Sequence, residues 1–327
     1  MAEQKKEIAL SGIRATGNLH LGNYFGAVTN FIKMQDQYDC LFFIADWHSL
    51  TTHPKPQDIQ QSANTILSEY LACGIDPEKT MIFTHSAVPE ENQLMLPFLS
   101  LVSEAELERN PTVKAEQEAS GHELTGLLLT YPVHQACDIL FCKGNVVPVG
   151  KDQLPHIEIT RTIARRFNER FGQVFPEPEA VLSDAIEVPG LDGRKMSKSY
   201  GNGISLCMSA EETAKLIKKS PTDSDRNITY DPDNRPGVSA LLTTAHLATG
   251  RPQEEIAAEI GMGGGGALKA YVTESINGYL APLRERREEL LRDMDYVKDV
   301  LHEGNRKANA IAEETLAQVR EAMGMVY

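Results

Sequence analysis

Two short segments carry residues whose types and spacing could do phosphate chemistry. The first is Ser11-Gly12-Ile13-Arg14-Ala15-Thr16-Gly17-Asn18-Leu19-His20-Leu21-Gly22-Asn23. Small residues at Gly12, Gly17 and Gly22 let backbone approach a flat or phosphorylated ligand. The helix expected to follow directs unpaired N–H groups at anions. His20 and Asn23 are three apart, hence on one helical face, where both could donate to phosphate oxygens; a helix with two surface polar residues is the equal alternative. The segment is neither a Walker A loop nor a GxGxxG fingerprint, which weakens ATPase, kinase and dehydrogenase readings. The second segment is Gly193-Arg194-Lys195-Met196-Ser197-Lys198-Ser199. Its two lysines, three apart and flanked by Gly and Ser, suit a mobile loop that closes on a polyphosphate as charge develops.

The elements that would position these segments alternate strand and helix. Residues 7–13 are a strand candidate, and the helix after the first loop is expected over 19–35, with Leu21, Phe25, Val28 and Ile32 in steps of three and four. Residues 40–45 form a continuous apolar run, as in a strand buried on both faces. A helix over 57–73 stops at Gly74, and 80–84 is a third strand, completing a βαβαβ half. Residues 90–141 read as mostly helical, 146–149 as a buried strand, 150–171 as a helix, and 173–193 as a Pro- and Gly-rich connector. From Ser209 the pattern is helical, interrupted at 221–236 and at the glycine run 263–266, with long amphipathic helices over 268–292 and 296–323. The fold class expected is α/β: a doubly wound parallel sheet, Rossmann-like, with a C-terminal α-helical domain. The domains are placed at 1–205, with a helical insertion at about 90–142, and 206–327.

The chain has 327 residues, 41% hydrophobic and 24% charged. No apolar stretch approaches the roughly 20 residues that span a bilayer, and the polar N-terminus does not read as a signal peptide, so the expectation is cytoplasmic with no membrane contact. Five cysteines, an odd number without a CxxC, point to reduced buried thiols rather than a disulfide, zinc or iron–sulfur framework. No metal held by the protein itself is expected. The formal net charge of −14 argues against nucleic acid, because phosphate contacts require Lys and Arg, although a local basic face is compatible with it.

The paired segments resemble the HIGH and KMSKS signatures of class I aminoacyl-tRNA synthetases, KMSKS in full and HIGH as His20-Leu21-Gly22-Asn23. The resemblance spans nearly the whole chain and narrows to the bacterial tryptophan-specific members. It runs through Gly22-Asn23-Tyr24, Asp46 with His48, Gly74-Ile75-Asp76-Pro77 and Gly126-Leu127-Leu128. Tyr131-Pro132, Asp138-Ile139-Leu140, Val147-Pro148-Val149-Gly150, Asp152-Gln153, Pro221-Thr222-Asp223-Ser224 and Tyr230-Asp231 match too.

The resemblance implies activation of L-tryptophan by ATP to tryptophanyl-adenylate, then transfer to the terminal ribose of tRNA(Trp). It implies catalytic roles for His20, Asn23, Lys195 and Lys198, and ATP contacts at Ser11, Gly12, Arg14, Thr16, Gly22, Asn23, Gly150, Asp152, Met196 and Ser197. Mg²⁺ would accompany the phosphates, and Lys114 is a further candidate cation. The tryptophan pocket would comprise Leu10, His48, Tyr131, Gln135, Asp138, Val147, Val149 and Gln153. Asp138 would accept the indole N–H, while Tyr131 and Gln153 would hold the α-amino and carboxylate groups. A homodimer and an anticodon-binding helical domain are also implied.

Arg14-Ala15, Leu10, Trp47, His134-Gln135 and Lys151 depart from the common pattern. Gln135 in place of a thioether makes the slot more polar and suggests a divergent subgroup. Rival readings are a tyrosine-specific synthetase, a nucleotidyltransferase of the same superfamily, and a non-catalytic paralogue. Without the resemblance, Asp138 reads as a helix-surface carboxylate and Tyr131 as a core aromatic.

Overall fold

Strand β1 (Ile8–Arg14) hydrogen-bonds in parallel to β2 (Asp39–Ala45), whose Cys40–Ala45 run is buried throughout. The computed structural model describes residues 6–15, 17–52, 55–120, 123–182, 188–196 and 200–327. β2 pairs with β3 (Thr80–Thr84), β1 with β4 (Val146–Val149), and β4 with β5 (Glu179–Leu182), all parallel, in the order β3-β2-β1-β4-β5. The chain leaves β1 toward β2 and later returns to β1's other side as β4. A ligand crevice is expected outside the carboxyl ends of strands at such a reversal.

The strand boundaries read from sequence agree with β1 to β4 within a residue or two, but β5 lies inside the stretch read as a connector. Three of its four residues are exposed, so it lacks the apolar run that marks β2. The first helix also differs from the single span expected over 19–35. It begins later, as α1 (Leu21–Asn23), widens into a π-helical turn (Tyr24–Val28) and continues as α2 (Thr29–Met34). A π turn inserts a residue without interrupting the helix and often sits at a functional site.

The remaining helices follow the periodicity closely. α3 is Asp46–Ser49, and α4 (Pro56–Cys73) stops at Gly74, whose φ of 104° favours glycine. Between β3 and β4 lie α5 (Pro89–Leu99), α6 (Glu104–Glu108), α7 (Pro111–Ser120) and α8 (Gly126–Phe141). A 3-10 turn at Lys151–Gln153 leads into α9 (Leu154–Phe171). Then come α10 (Ala210–Lys219), α11 (Pro236–Thr249), α12 (Gln253–Ile260), α13 (Gly264–Arg292) and α14 (Met294–Ala322). The glycine run does not end a helix: α13 passes through Gly265 and Gly266. A Cβ on Gly265 would meet Thr222 Oγ1 at 2.7 Å, so close packing explains one of these glycines.

Alternation along β2 divides the core. Phe42 and Ile44 face one layer with Tyr70, Leu241, Val272 and Leu280; Leu41 and Phe43 face the other with Phe83, Phe141, Phe167 and Leu316. The C-terminal helices are therefore part of the sheet's packing: α13 lies against α4, and α14 against β3 and α5. Gly304 of α14 comes so close that a Cβ there would overlap the carbonyl oxygen of Ile82 in β3. The five cysteines are free. Among the described residues no helix is long and apolar enough to cross a membrane.

Candidate active site

Helix α8 builds one wall of a cavity of about 420 Å³ at the carboxyl end of β1 and β4. Tyr131, Gln135 and Asp138 are spaced i, i+4, i+7, so they share one face, and all three line the cavity. The end of β1 contributes Leu10, Ser11, Gly12 and Arg14; β4 and the turn after it contribute Val147, Val149, Gly150 and Gln153; His48 comes from α3. All eight residues expected to contact tryptophan thus line a single cavity. So do Ser11, Gly12, Arg14 and Gly150 from the set expected to contact ATP. Gly12 has a second reason to be glycine: a Cβ would strike the Phe43 ring at 2.4 Å, across the β1–β2 pair.

The buried cluster around Asp138, which reaches the cavity through His48 and Asp138, is unusually polar. Asp138 and His85 are 0% exposed, and His48 and His134 are also buried. His48 Nε2 and His85 Nε2 each lie 3.4 Å from Asp138 Oδ2, and His134 Nδ1 lies 3.5 Å from Oδ1. His134 Nε2 is 3.0 Å from Asn92 Oδ1, which can only accept. His134 Nδ1 is then the acceptor for His48 Nε2–H, at 3.0 Å. Burial holds all three imidazoles below their ordinary pKa, His85 at about 3, only partly opposed by the nearby Asp138 at His48 and His134. Burial also raises the carboxyls of Asp138 and Glu91, against His134 and His48 in the case of Asp138. His85, Glu91 and Asn92 had no mark in the sequence. His85 follows β3, however, and position just past a strand's carboxyl end was a usable signal.

Higher in the cavity, the Tyr131 hydroxyl is 3.1 Å from His156 Nε2. Burial, then the Glu116 charge, pushes the Tyr131 phenol up to about 12. Arg14 forms an ion pair with Glu116 of α7, so the departure at Arg14 is matched by a carboxylate on the opposite wall. Lys114 is exposed on the same helix and does not line the cavity, whereas Glu116 does. Lys151 is exposed and also lies off the cavity, whereas Leu10 and Gln135 line it.

The two signature segments meet at the start of the helix whose Gly26, Ala27 and Asn30 line this cavity. His20 caps α1: its Nδ1 accepts from the Asn23 N–H at 3.2 Å, while Asn23 Oδ1 accepts from the His20 N–H at 3.1 Å. The pair is therefore locked together rather than merely sharing a face, and the His20 ring proton sits on Nε2. Glu69 of α4, buried and unmarked in sequence, accepts from the Leu19 N–H at 2.7 Å and fixes the loop. His20 bridges to Ser205, and Leu21 N–H donates to Ile204 O at 2.9 Å. The Gly22 N–H contacts Met196 Sδ at 3.3 Å. A Cβ on Gly22 would meet the His20 ring at 2.9 Å, and one on Gly203 would meet Met196 Cγ at 2.7 Å. Lys195 is exposed next to this contact. Gly22, Asn23, Asp152, Lys195 and Met196 do not line the cavity itself. Thr16, Ser197, Lys198 and Ser199 lie outside the described residues.

The chain matches the family described as tRNA synthetases class I (W and Y) over residues 2–281. The tryptophan–tRNA ligase of Thermotoga maritima is 42% identical, covering 97% of this chain and 99% of its own length. That of Lactococcus lactis is 43% identical over 98% and 99%. Among solved structures, a tryptophanyl-tRNA synthetase from Campylobacter jejuni, complexed with ADP and tryptophan, superposes with a TM-score of 0.88. It is 34% identical, with 97% of this chain and 99% of that one covered.

Proposed function

The chain belongs to the class I tRNA synthetases of the tryptophan and tyrosine group, and we infer that it is a tryptophan–tRNA ligase. The observation that carries the site reading is the contact of Gly22 N–H with Met196 Sδ. It joins two segments far apart in sequence at the start of a helix whose next turns, through Gly26, Ala27 and Asn30, line the cavity that Asp138 also lines.

In the first step a carboxylate oxygen of tryptophan attacks the α-phosphorus of ATP. The bond to the bridging oxygen breaks, and pyrophosphate leaves with the electron pair. The protein supplies position and charge. The indole ring lies between Leu10, Val147 and Val149, and its N–H donates to Asp138. A competitor without that N–H leaves a buried acceptor unpaired, which is what discriminates against it. Tyr131, oriented through His156, and Gln153 hold the amino and carboxylate ends. Ser11, Gly12, Arg14, Gly150 and Asp152 border the nucleotide. His20, through Nε2–H, and Asn23 donate to the phosphates, and Lys195 and Lys198 neutralise the departing pyrophosphate. Mg²⁺ enters with the ATP as part of the substrate.

In the second step the terminal ribose hydroxyl of tRNA(Trp) attacks the acyl carbon and AMP leaves. Residues 1–205, including the insertion at about 90–142, form the catalytic domain of this reading, and 206–327 the anticodon-binding domain. The protein works as a homodimer, and its free thiols suit the cytoplasm. The test is acylation of unfractionated tRNA with ATP and labelled amino acid: tryptophan should be esterified and tyrosine should not. Tyrosine esterified in its place would overturn the specificity.

A further inference from the structure

We propose that His48, His85, His134 and Asp138 form a buried binding site for a divalent transition-metal ion, zinc by its donor set, next to the cavity that His48 and Asp138 line. The four residues come from α3, the turn after β3, and α8, so no sequence spacing announces them. One ligand atom from each lies within 4.8 Å of all the others. His48 Nε2 lies 3.0 Å from His134 Nδ1, and His48 Nε2 and His85 Nε2 each lie 3.4 Å from Asp138 Oδ2, while His134 Nδ1 is 3.5 Å from the other oxygen, Oδ1. A tetrahedral zinc ion with bonds of about 2.0–2.1 Å separates its ligand atoms by roughly 3.3–3.4 Å. Three separations already lie near that value, and the others, within 4.8 Å, contract as the side chains close on the ion.

Hydrogen bonding accounts for only part of the cluster. The His48–His134–Asn92 chain is satisfied without an ion; metal binding replaces the His48–His134 bond and moves the His48 ring proton from Nε2 to Nδ1, freeing both lone pairs. Both oxygens of Asp138 and both ring nitrogens of His85 are buried with no hydrogen-bond partner among the described residues. Such groups are rare in folded proteins and call for an explanation; a cation between Asp138 Oδ2 and His85 Nε2 gives one. His134 supplies a second, independent sign. A metal-ligating imidazole donates its other N–H to a fixed acceptor, and His134 Nε2–H already does so to Asn92 Oδ1 while Nδ1 faces the cluster. Three imidazoles and a carboxylate, with no thiolate, favour zinc over softer ions and over magnesium or calcium. Four protein ligands close the coordination, so the ion would be structural and not a Lewis acid toward substrate.

The consequence for recognition rests on the tryptophan reading; the coordination does not. An ion on one oxygen of Asp138 keeps the carboxyl ionised and leaves the other oxygen as a fixed acceptor for the indole N–H.

The test uses the full chain without a histidine tag, stripped with a chelator and titrated with Co²⁺. One cobalt per chain, with the intense visible bands of a tetrahedral ion that vanish on adding Zn²⁺, is the expected result. His85→Gln and His134→Leu should each lose those bands. Should either variant misfold, the wild-type melting temperature decides: it should rise with Zn²⁺ and return with chelator. No tetrahedral spectrum and no zinc-dependent melting shift in the wild type would overturn the site, as would unchanged spectra in both folded variants. Tryptophan-dependent formation of ATP from pyrophosphate, measured on the same samples, separates the two readings. Metal bound without that activity contradicts the tryptophan assignment alone; activity without metal contradicts the metal site alone.

Discussion

At the scale of single residues, Asp138 in the proposed tryptophan reading is selective through what a competitor leaves unpaired. A hydrogen bond to a buried charged acceptor contributes about 1.5–3 kcal/mol. Asp138→Asn should therefore lower kcat/KM for tryptophan by roughly 10- to 100-fold; an unchanged value would remove Asp138 from indole recognition. His156 has a different consequence. Burial, then the Arg14 charge, lowers its pKa from 6.5 to about 4. Above pH 6.5 neither the folded nor the unfolded chain holds this proton, and the stability of the neutral imidazole is fully present. Between 6.5 and 4 the unfolded chain binds the proton first, so stability falls with pH, by up to about 3 kcal/mol from this residue. His156→Gln should flatten that limb in urea titrations at pH 7 and pH 4.5; a parallel decline in the variant would contradict the assignment. These residues differ in how far the sequence exposed them. Asp138, Tyr131 and Gln153 were legible only through the family resemblance, since a helix period says which positions share a face and not what the face meets. Glu116 and His156 were not legible, because their roles come from neighbours on other elements, and His85 was marked only by its place just past β3.

At the scale of elements, α14 offers the sharpest contrast between propensity and packing. Replacing a helical glycine by alanine ordinarily gains up to about 1 kcal/mol. At Gly278 of α13 an added Cβ meets nothing within 4 Å, so Gly278→Ala should stabilise the protein by about 0.5–1 kcal/mol. At Gly304 the Cβ would overlap backbone atoms of β3. The helix would have to move off the sheet, and overpacking of this kind costs about 1–3 kcal/mol or more. Gly304→Ala should lower stability despite its better propensity, and the two variants should shift the melting temperature in opposite directions. Equal shifts would mean that α14 is not seated on β3. Apolar period made α4, α13 and α14 readable to within a few residues, and the buried run made β2 readable. It could not reveal β5, which has no apolar run, or the π turn at Tyr24–Val28, which leaves the helical pattern intact. Nor could it reveal that α14 packs on the sheet, because an apolar stripe does not name its partner.

At the scale of the whole molecule, the −14 net charge sets the terms on which RNA is bound. The arginines clustered near the end of α13 are not all available to phosphates: Arg284 is half-buried, bonded to Asn277 and Thr213, whereas Arg286 is exposed. Sedimentation should find two chains per particle; a single-chain mass at micromolar concentration would contradict the proposed dimer. The alternation of β1 to β4 with helices and the helical C-terminal region were readable from apolar patterns, but the meeting of the two signature segments was not. It depends on a contact between Gly22 and Met196 that only the closed fold creates. The most direct measurement of the central claim is ATP–pyrophosphate exchange driven by each amino acid in turn. Tryptophan should support exchange, with tyrosine at least about 100-fold weaker in kcat/KM. Exchange driven equally by tyrosine, or by no amino acid at all, would contradict the account.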